Sequence, residues 1–183
     1  MALGAQVIGV TVRDMACAYA TFANDGVYRE GRTFTKVYDN DGTLVLDNTQ
    51  DSRTIYSYKT ANYMHYCLAG SVAGTGYNAR ISGQNVYGKT GTTASERDRW
   101  FCGFTGYYTA AVWCGYDTPE TINLVGGSFN PAARLWRYVM EPIHEGLKNI
   151  RLYDSREMKS ISVCLDSGML ATAACRKDAR QLE

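Results

Sequence analysis

Apolar positions recur along this chain at two spacings, three-to-four and two, and the changes between them mark its elements. Val12, Met15, Ala16, Tyr19, Ala20 and Ala23 fall at helical spacing and predict a helix over 12–23. Thr11 before it reads as an N-cap with Asp14 three places on, the acidic variant of a capping box, and Asn24-Asp25-Gly26 stops it. Thr33 to Tyr38 and Thr43 to Leu46 flank Asp39-Asn40-Asp41-Gly42 and predict a hairpin. From Ser57 onward Ala61, Met64, Leu68 and Val72 share one helical face, and Gly74-Thr75-Gly76 ends that element. Residues 84–92 read as a strand. Trp100 to Thr105 and Tyr108 to Tyr116, with Gly106-Tyr107 between them, pair most simply as an antiparallel hairpin. Their mixed character is what a sheet largely covered by helices requires. Asn130-Pro131 opens a last helix whose apolar face is Ala132, Leu135, Trp136, Val139 and Met140, with Pro142 ending or kinking it. The expected fold class is α+β, a mainly antiparallel sheet flanked by helices, rather than a parallel doubly wound sheet. Past Gly146 the pattern changes. Ile161, Val163 and Leu165 alternate before an Asp166-Ser167-Gly168 turn, so 1–146 is expected to form the body and 147–183 an appendage or linker toward a further domain.

Composition adds exclusions. Apolar residues make 45% of 183 residues, which supports a packed core and argues against disorder. Lys+Arg 19 against Asp+Glu 18 leaves +1, so charge gives no reason to expect nucleic acid or an anionic membrane as partner. The 14 tyrosines are expected to be partly buried core residues, with wetted surface for a sugar or peptide as the alternative. None of the six cysteines forms a C-x-x-C pair, and apart from Cys67 beside His65 they stand far in sequence from the two histidines, His65 and His144, so no metal site and no cofactor is expected. Cys17, Cys67, Cys102 and Cys114 are expected to be buried free thiols. Cys164 and Cys175 bracket a short loop, and a disulfide between them stays open. No run reaches transmembrane length and no signal peptide is visible. Met1 and Leu182-Glu183 have the look of residues added in cloning, so the chain is expected to be a piece of a longer protein.

The candidate chemistry lies in Val86-Tyr87-Gly88-Lys89-Thr90-Gly91-Thr92-Thr93. An extended segment of this kind offers an anionic ligand a cation, hydroxyl donors and, at Gly91, close approach to bare backbone. Strict alternation puts Lys89 and Gly91 on one face and Thr90 and Thr92 on the other, so twist or a bulge must decide which groups meet a ligand. Gly83 to Thr90 also satisfies the string G-x-x-x-x-G-K-T of a nucleotide-binding P-loop. That loop needs a helix starting at its Lys-Thr pair, whereas Gly91 and a Thr pair follow here and strand pattern resumes by Trp100. Nucleotide binding is therefore a remote alternative.

K-T-G is also a motif of penicillin-binding proteins and class A β-lactamases, and here its surroundings match as well. Thr11-Val12-Arg13-Asp14-Met15-Ala16-Cys17-Ala18-Tyr19-Ala20-Thr21-Phe22-Ala23-Asn24-Asp25-Gly26 resembles the helix T-P-L-x-M-A-x-A-Y-A-x-F-A-N-x-G of the bifunctional (class A) penicillin-binding proteins, with Val12 at the family's usual proline. The likeness continues through Gly74-Thr75-Gly76, Gly88 to Thr93, Asp98 to Thr105 and Val112 to Asp117. It also takes in the Trp136 helix and the tail residues Asp166, Ser167, Gly168, Ala171 and Cys175, with Gly106 where the family often has proline. From about residue 4 to 175 the chain resembles the C-terminal half of their transpeptidase domain, which implies an incomplete β-lactamase-like transpeptidase fold.

The resemblance implies a peptidoglycan DD-transpeptidase that cross-links stem peptides through an acyl-serine intermediate, in the bacterial cell envelope, extracytoplasmic and anchored by a segment not included here. It implies catalytic roles for Lys89 and Thr92 and substrate contacts from Thr90, Gly91, Thr92 and Thr93. The Thr92 N–H would form half of an oxyanion hole, and the hydroxyls of Thr90 and Thr92 would hold a stem-peptide or β-lactam carboxylate. S-x-x-K, which carries the family's nucleophile and base, occurs nowhere in this sequence. Ser128-Phe129-Asn130 matches S-x-N but lies downstream, where a helix cap explains it. The implied partner is therefore the missing N-terminal half, and without it an exposed helix–sheet face is expected to favour self-association. A non-catalytic docking or wall-binding module is the alternative.

Overall fold

Thr11 starts the first helix as its sequence position predicts. In the computed structural model, which describes residues 9–126 and 129–173, its Oγ1 accepts the Asp14 N–H at 3.0 Å and opens α1 (Val12–Ala23). Asp25 and Gly26, both at positive φ, turn the chain out of that helix. It enters β1 (Val27–Arg29), and then β2 (Lys36–Tyr38) and β3 (Leu44–Asp47) form the expected hairpin, with a register shift between Val37 and Tyr38. β4 (Ser52–Thr54) returns to pair antiparallel with β1, a two-stranded element the sequence pattern did not announce. Three-residue strands leave no alternation to detect.

Ser57 caps α2 (Tyr58–Ala73), and the Gly74 to Gly76 turn leads into a 3₁₀ helix at Tyr77–Ala79. β5 (Tyr87–Thr92), β6 (Arg99–Phe104) and β7 (Thr109–Cys114) then build an antiparallel sheet in that order, with unbroken register. α3 (Pro131–Ile143) follows. Asn130 Oδ1 accepts the Ala133 N–H at 3.1 Å, while its Nδ2 donates to the Trp100 carbonyl at 3.2 Å, so the cap also ties α3 to β6. Pro142 is accommodated in the last turn, and the helix closes one residue beyond it.

Helices cover both faces of this sheet. Phe101 and Trp136, both fully buried, meet edge-to-face at 5.2 Å between centroids in a cluster with Val72, Ile81, Val86, Ala132 and Met140. The Trp136 indole N–H donates to the Ala110 carbonyl at 3.0 Å. On the alternate residues Tyr87 and Phe104 stack at 5.3 Å and pack with Leu68 of α2 and with Tyr19, Phe22 and Ala23 of α1. Gly88 and Gly103 face each other across β5 and β6. A Cβ on Gly88 would stand 2.6 Å from the Phe101 ring and one on Gly103 would stand 2.8 Å from it, so Phe101 fills the space their hydrogens leave. The fold is thus α+β, antiparallel sheets flanked by helices, consistent with an incomplete transpeptidase-like fold.

A buried polar chain joins the β6–β7 turn to the end of α3. The Thr105 hydroxyl accepts the N–H groups of Tyr107 and Tyr108. Its proton goes to His144 Nε2 at 2.7 Å, and His144 Nδ1–H reaches the Met140 carbonyl at 2.6 Å. Every donor in that chain has an acceptor, which is what a buried network needs in order to stabilise.

Two expectations differ. Leu135 and Val139 lie on the exposed side of α3, because Ala132, Ala133, Trp136 and Met140 form the face turned to the sheet. The bulk of Trp136 sets that rotation. Cys67 is exposed and Cys17 and Cys114 are half-buried, which leaves Cys102 as the fully enclosed thiol of the four. The chain divides into two compact units, Met1–Tyr153 and Asp154–Glu183. Among its described residues the second holds a 3₁₀ turn at Ser155–Glu157 and a Val163–Leu170 bridge around the Gly168 turn. Cys175 and Ser128 lie outside the described residues.

Candidate active site

The strand β5 rises from core to solvent along its length. Tyr87 and Gly88 are buried, Thr90 and Gly91 half-buried, and Lys89 and Thr92 exposed. It is the end strand of the sheet, and its outer edge is unpaired among the described residues. Such an edge presents backbone donors and acceptors to any extended segment laid beside it.

Register settles the question of faces. Thr90 lies opposite Phe101 and Thr92 opposite Arg99, on the side that carries Gly88, whereas Lys89 lies opposite Cys102 on the other. No bulge interrupts the pairing. Instead the long Lys89 side chain folds back along the strand, and its ammonium donates to the Thr90 carbonyl at 3.0 Å. The cation is thereby held next to the threonine backbone although its Cβ points the other way. The Thr90 hydroxyl donates to Thr75 Oγ1, in the turn after α2, at 3.4 Å. Thr92 Oγ1 accepts from Arg99 Nη1, also at 3.4 Å. Gly91 sits against Trp100, where a Cβ would come within 3.1 Å of the tryptophan Cβ.

Thr93 is occupied by its turn. Its Oγ1 accepts the N–H groups of Arg97 and Asp98 at 3.0 and 3.1 Å, and its own N–H goes to the Asp98 carbonyl. Asp98 in turn accepts the Trp113 indole N–H at 2.9 Å. The 93–98 loop is thus a braced connection that fixes where Thr92 and Arg99 meet.

Arg99 and Thr75 are the two polar neighbours that reading the motif alone missed. Counting back from the β5–β6 turn would have placed Arg99 opposite Thr92, but nothing in the sequence marks Thr75 as a partner of Thr90. Arg99 Nη2 also pairs with Glu96 at 3.2 Å, and its Nε is buried with no hydrogen-bond partner among the described residues.

The thiol closest to the motif in register, Cys102, is 2% exposed, and burial pushes it up to about 12. It stays protonated near neutrality and is no nucleophile. No serine hydroxyl among the described residues is hydrogen-bonded to a lysine or histidine. Among the same residues no group of three His, Cys, Asp or Glu could hold a metal ion. A separate cavity of about 640 Å³, bordered by Arg13, Tyr28, Arg32, Asn48, Asp51 and Arg53, shares no residue with β5. The nucleotide alternative fails on the backbone: Lys89 and Thr90 lie within a strand and no helix occurs between Gly91 and Arg99.

Comparison with known proteins places this geometry. The profile of the penicillin binding protein transpeptidase domain matches residues 1–133. Penicillin-binding protein 1A of Clostridium botulinum is 35% identical over 182 residues, a match that takes in 98% of this chain and 22% of that protein. Among solved structures, penicillin-binding protein 1A of Haemophilus influenzae superposes with a TM-score of 0.69 at 19% identity, over 88% of this chain and 30% of that one. The D,D-transpeptidase domain of a peptidoglycan glycosyltransferase from Eggerthella lenta superposes with a TM-score of 0.62 at 26% identity, over 74% and 32% respectively. The chain thus spans about a fifth of the curated relative it matches. A sheet of this register carrying K-T-G on its end strand, matched by the profile over most of the chain, makes it a member of the penicillin binding protein transpeptidase domain family.

Proposed function

We propose that this chain is the C-terminal part of the transpeptidase domain of a serine DD-transpeptidase that cross-links peptidoglycan, and that β5 forms one wall of its active site. The observation that supports this most directly is the end-strand position of Lys89 to Thr92, with the ammonium and two threonine hydroxyls gathered along an edge that no strand among the described residues pairs. In the intact enzyme a serine hydroxyl from polypeptide preceding this chain attacks the penultimate D-Ala carbonyl of a stem peptide. The C–N bond breaks and terminal D-Ala leaves with the proton the serine gave up. An amine of a second stem then attacks the ester carbonyl, the C–O bond to serine breaks, and the amine's proton passes back to the serine oxygen as the new amide forms.

Lys89 supplies positive potential to that proton transfer, and Thr90, Gly91 and Thr92 receive the substrate's carboxylate end. The Thr92 N–H stabilises the developing oxyanion together with the serine's own N–H. Thr93 shapes the rim through its turn. The partner is the preceding half of the domain. The exposed residues Leu135, Tyr138 and Val139 of α3 and the outer edge of β7, unpaired among the described residues, are the surfaces it would cover, and in its absence they favour self-association. The parent protein is extracytoplasmic and held in the cell envelope by an anchor elsewhere; no helix among the described residues is long and apolar enough to cross a membrane.

Incubation with a fluorescent penicillin, followed by intact-mass measurement, tests the division of labour. The chain alone is expected to remain unmodified, and the same chain continuous with the preceding half to gain one stoichiometric adduct. A covalent adduct on the 183-residue chain by itself would overturn the reading.

A further inference from the structure

We propose that Arg99 is a positioning residue for the carboxylate-binding end of β5: it sets the Thr92 hydroxyl as a donor and supplies a second cation there. The proposal rests on the reading that this strand receives a carboxylate-terminated peptide.

The physical chain starts from register. Arg99 is the direct cross-strand partner of Thr92, so both side chains leave the same face of the sheet a few ångströms apart. A threonine hydroxyl has one proton to give and lone pairs that can accept another group's at the same time. A guanidinium has only donors. Arg99 Nη1 therefore fills an acceptor position on Thr92 Oγ1 and leaves the Thr92 proton directed to something else. At 3.4 Å this bond is long, so it biases the hydroxyl and does not lock it. Thr90 differs. Its hydroxyl already gives its proton to Thr75, which makes Thr92 the hydroxyl of the pair prepared to donate.

Two features hold the guanidinium where it can do this. Glu96, on the turn between β5 and β6, pairs with Nη2 at 3.2 Å, and that turn is itself tied down: the Ile122 N–H donates to the Glu96 carbonyl and the Glu96 N–H to Thr93. The Arg99 side chain is only 13% exposed, against 56% for Glu96, so the pair is anchored from the arginine side. Nε remains buried and without a partner among the described residues, an unused donor beside Thr92. An arginine offers a carboxylate donors in a fixed planar fork, which a lysine cannot copy. Lys89 and Arg99 then bracket the strand end, one on the Thr90 carbonyl and the other on the Thr92 hydroxyl. Glu96 offsets part of the arginine charge, so orientation of Thr92 outweighs raw potential in what Arg99 contributes.

The test is an NMR titration of the full 183-residue chain, with ¹⁵N at the backbone and at arginine Nε. The two ligands are N-acetyl-D-Ala-D-Ala and its C-terminal amide. In the wild type the acid should shift the Lys89 to Thr92 amides and the Arg99 Nε resonance, and the amide should shift neither. Arg99→Gln should weaken acid binding about five- to tenfold, as expected for loss of a charge-assisted hydrogen bond. Arg99→Lys should recover only part of that loss. Glu96→Gln, which keeps the buried guanidinium and so guards against a folding artefact, should move the Nε resonance and weaken binding less than Arg99→Gln. If the acid still shifts Lys89 to Thr92 equally in wild type and Arg99→Gln, the role of Arg99 is overturned and the K-T-G wall stands. If neither ligand shifts those amides in any form, the carboxylate-receiving strand itself is overturned and this proposal with it.

Discussion

The β5–β6–β7 sheet and the β2–β3 hairpin are both antiparallel and both carry Lys, Val and Tyr, yet they end up in opposite environments. In β6 the last four residues are all buried, whereas every residue of β2 and β3 is exposed, with Val45 at 56% and Leu46 at 51%. The difference lies in what packs on them. Trp136 and Val72 close one face of the sheet, and Tyr19, Phe22 and Leu68 close the other. The hairpin is held by its own ladder, by a Lys36–Asp47 pair at 3.7 Å and by the Asp39 carboxylate accepting the N–H groups of Asp41 and Thr43 in its turn. A strand sequence therefore states only that a segment will be extended. Burial, which supplies about 25 cal/mol for each Å² of apolar surface removed from water, depends on helices that arrive from elsewhere in the chain.

The largest effect that can break or sharpen this contrast comes from the helix side. Trp136→Ala should destabilise the chain by about 3–5 kcal/mol, the usual cost of removing a large core aromatic, and a urea midpoint with unchanged slope would measure it. A loss comparable to that of an exposed residue would mean that α3 does not hold the sheet as its buried face indicates.

A smaller and graded effect should appear in alkali. Burial raises Tyr19 and Cys102 each to about 12. For Tyr19 a second cause acts in the same direction, its repulsion by the Cys102 thiolate. In the folded chain both groups keep protons that the unfolded chain releases at lower pH. Their contribution is therefore full below the ordinary thiol and phenol ranges and is lost as pH rises toward 12. Melting temperature should fall between pH 9 and 12, and Cys102→Ala should flatten the first part of that fall. The hairpin has the opposite sign. Asp47 is lowered by its hydrogen bond from Thr49 and by Lys36, so whatever it adds is present at neutral pH and disappears in acid. An alkaline profile unchanged by Cys102→Ala would contradict the enclosure of that thiol.

The smallest effect belongs to the hairpin surface. Val45→Ser should change stability by no more than about 0.5 kcal/mol, as substitutions far from core, cap or network generally do. A loss several times larger, read from the same urea curves, would show that something covers the hairpin in solution.

These residues also show where sequence reasoning reached and where it stopped. The caps at Thr11 and Asn130, the helices that follow them and Ser57, the β6–β7 hairpin and the strand carrying Lys89 were all legible, because each depends on side chains within a few positions of one another. The β1–β4 pair was missed, since two three-residue strands separated by a whole hairpin leave no local period. Leu135 and Val139 were assigned to the core because they fit a helical stripe, but the stripe is wider than the face Trp136 turns inward.

The sequence by itself determined that this is an α+β chain with K-T-G on a strand, and its ordered likeness to one family carried the functional expectation. Which groups stand together around that strand was decided only in three dimensions. Lys89 folds back to a carbonyl on the strand, Thr75 arrives from the turn after α2, and Arg99 meets Thr92 across a braced turn. Alternation along one strand fixes a side chain's face, whereas its neighbours on that face come from other elements. Only the packing of helix against sheet brings those neighbours within hydrogen-bond reach.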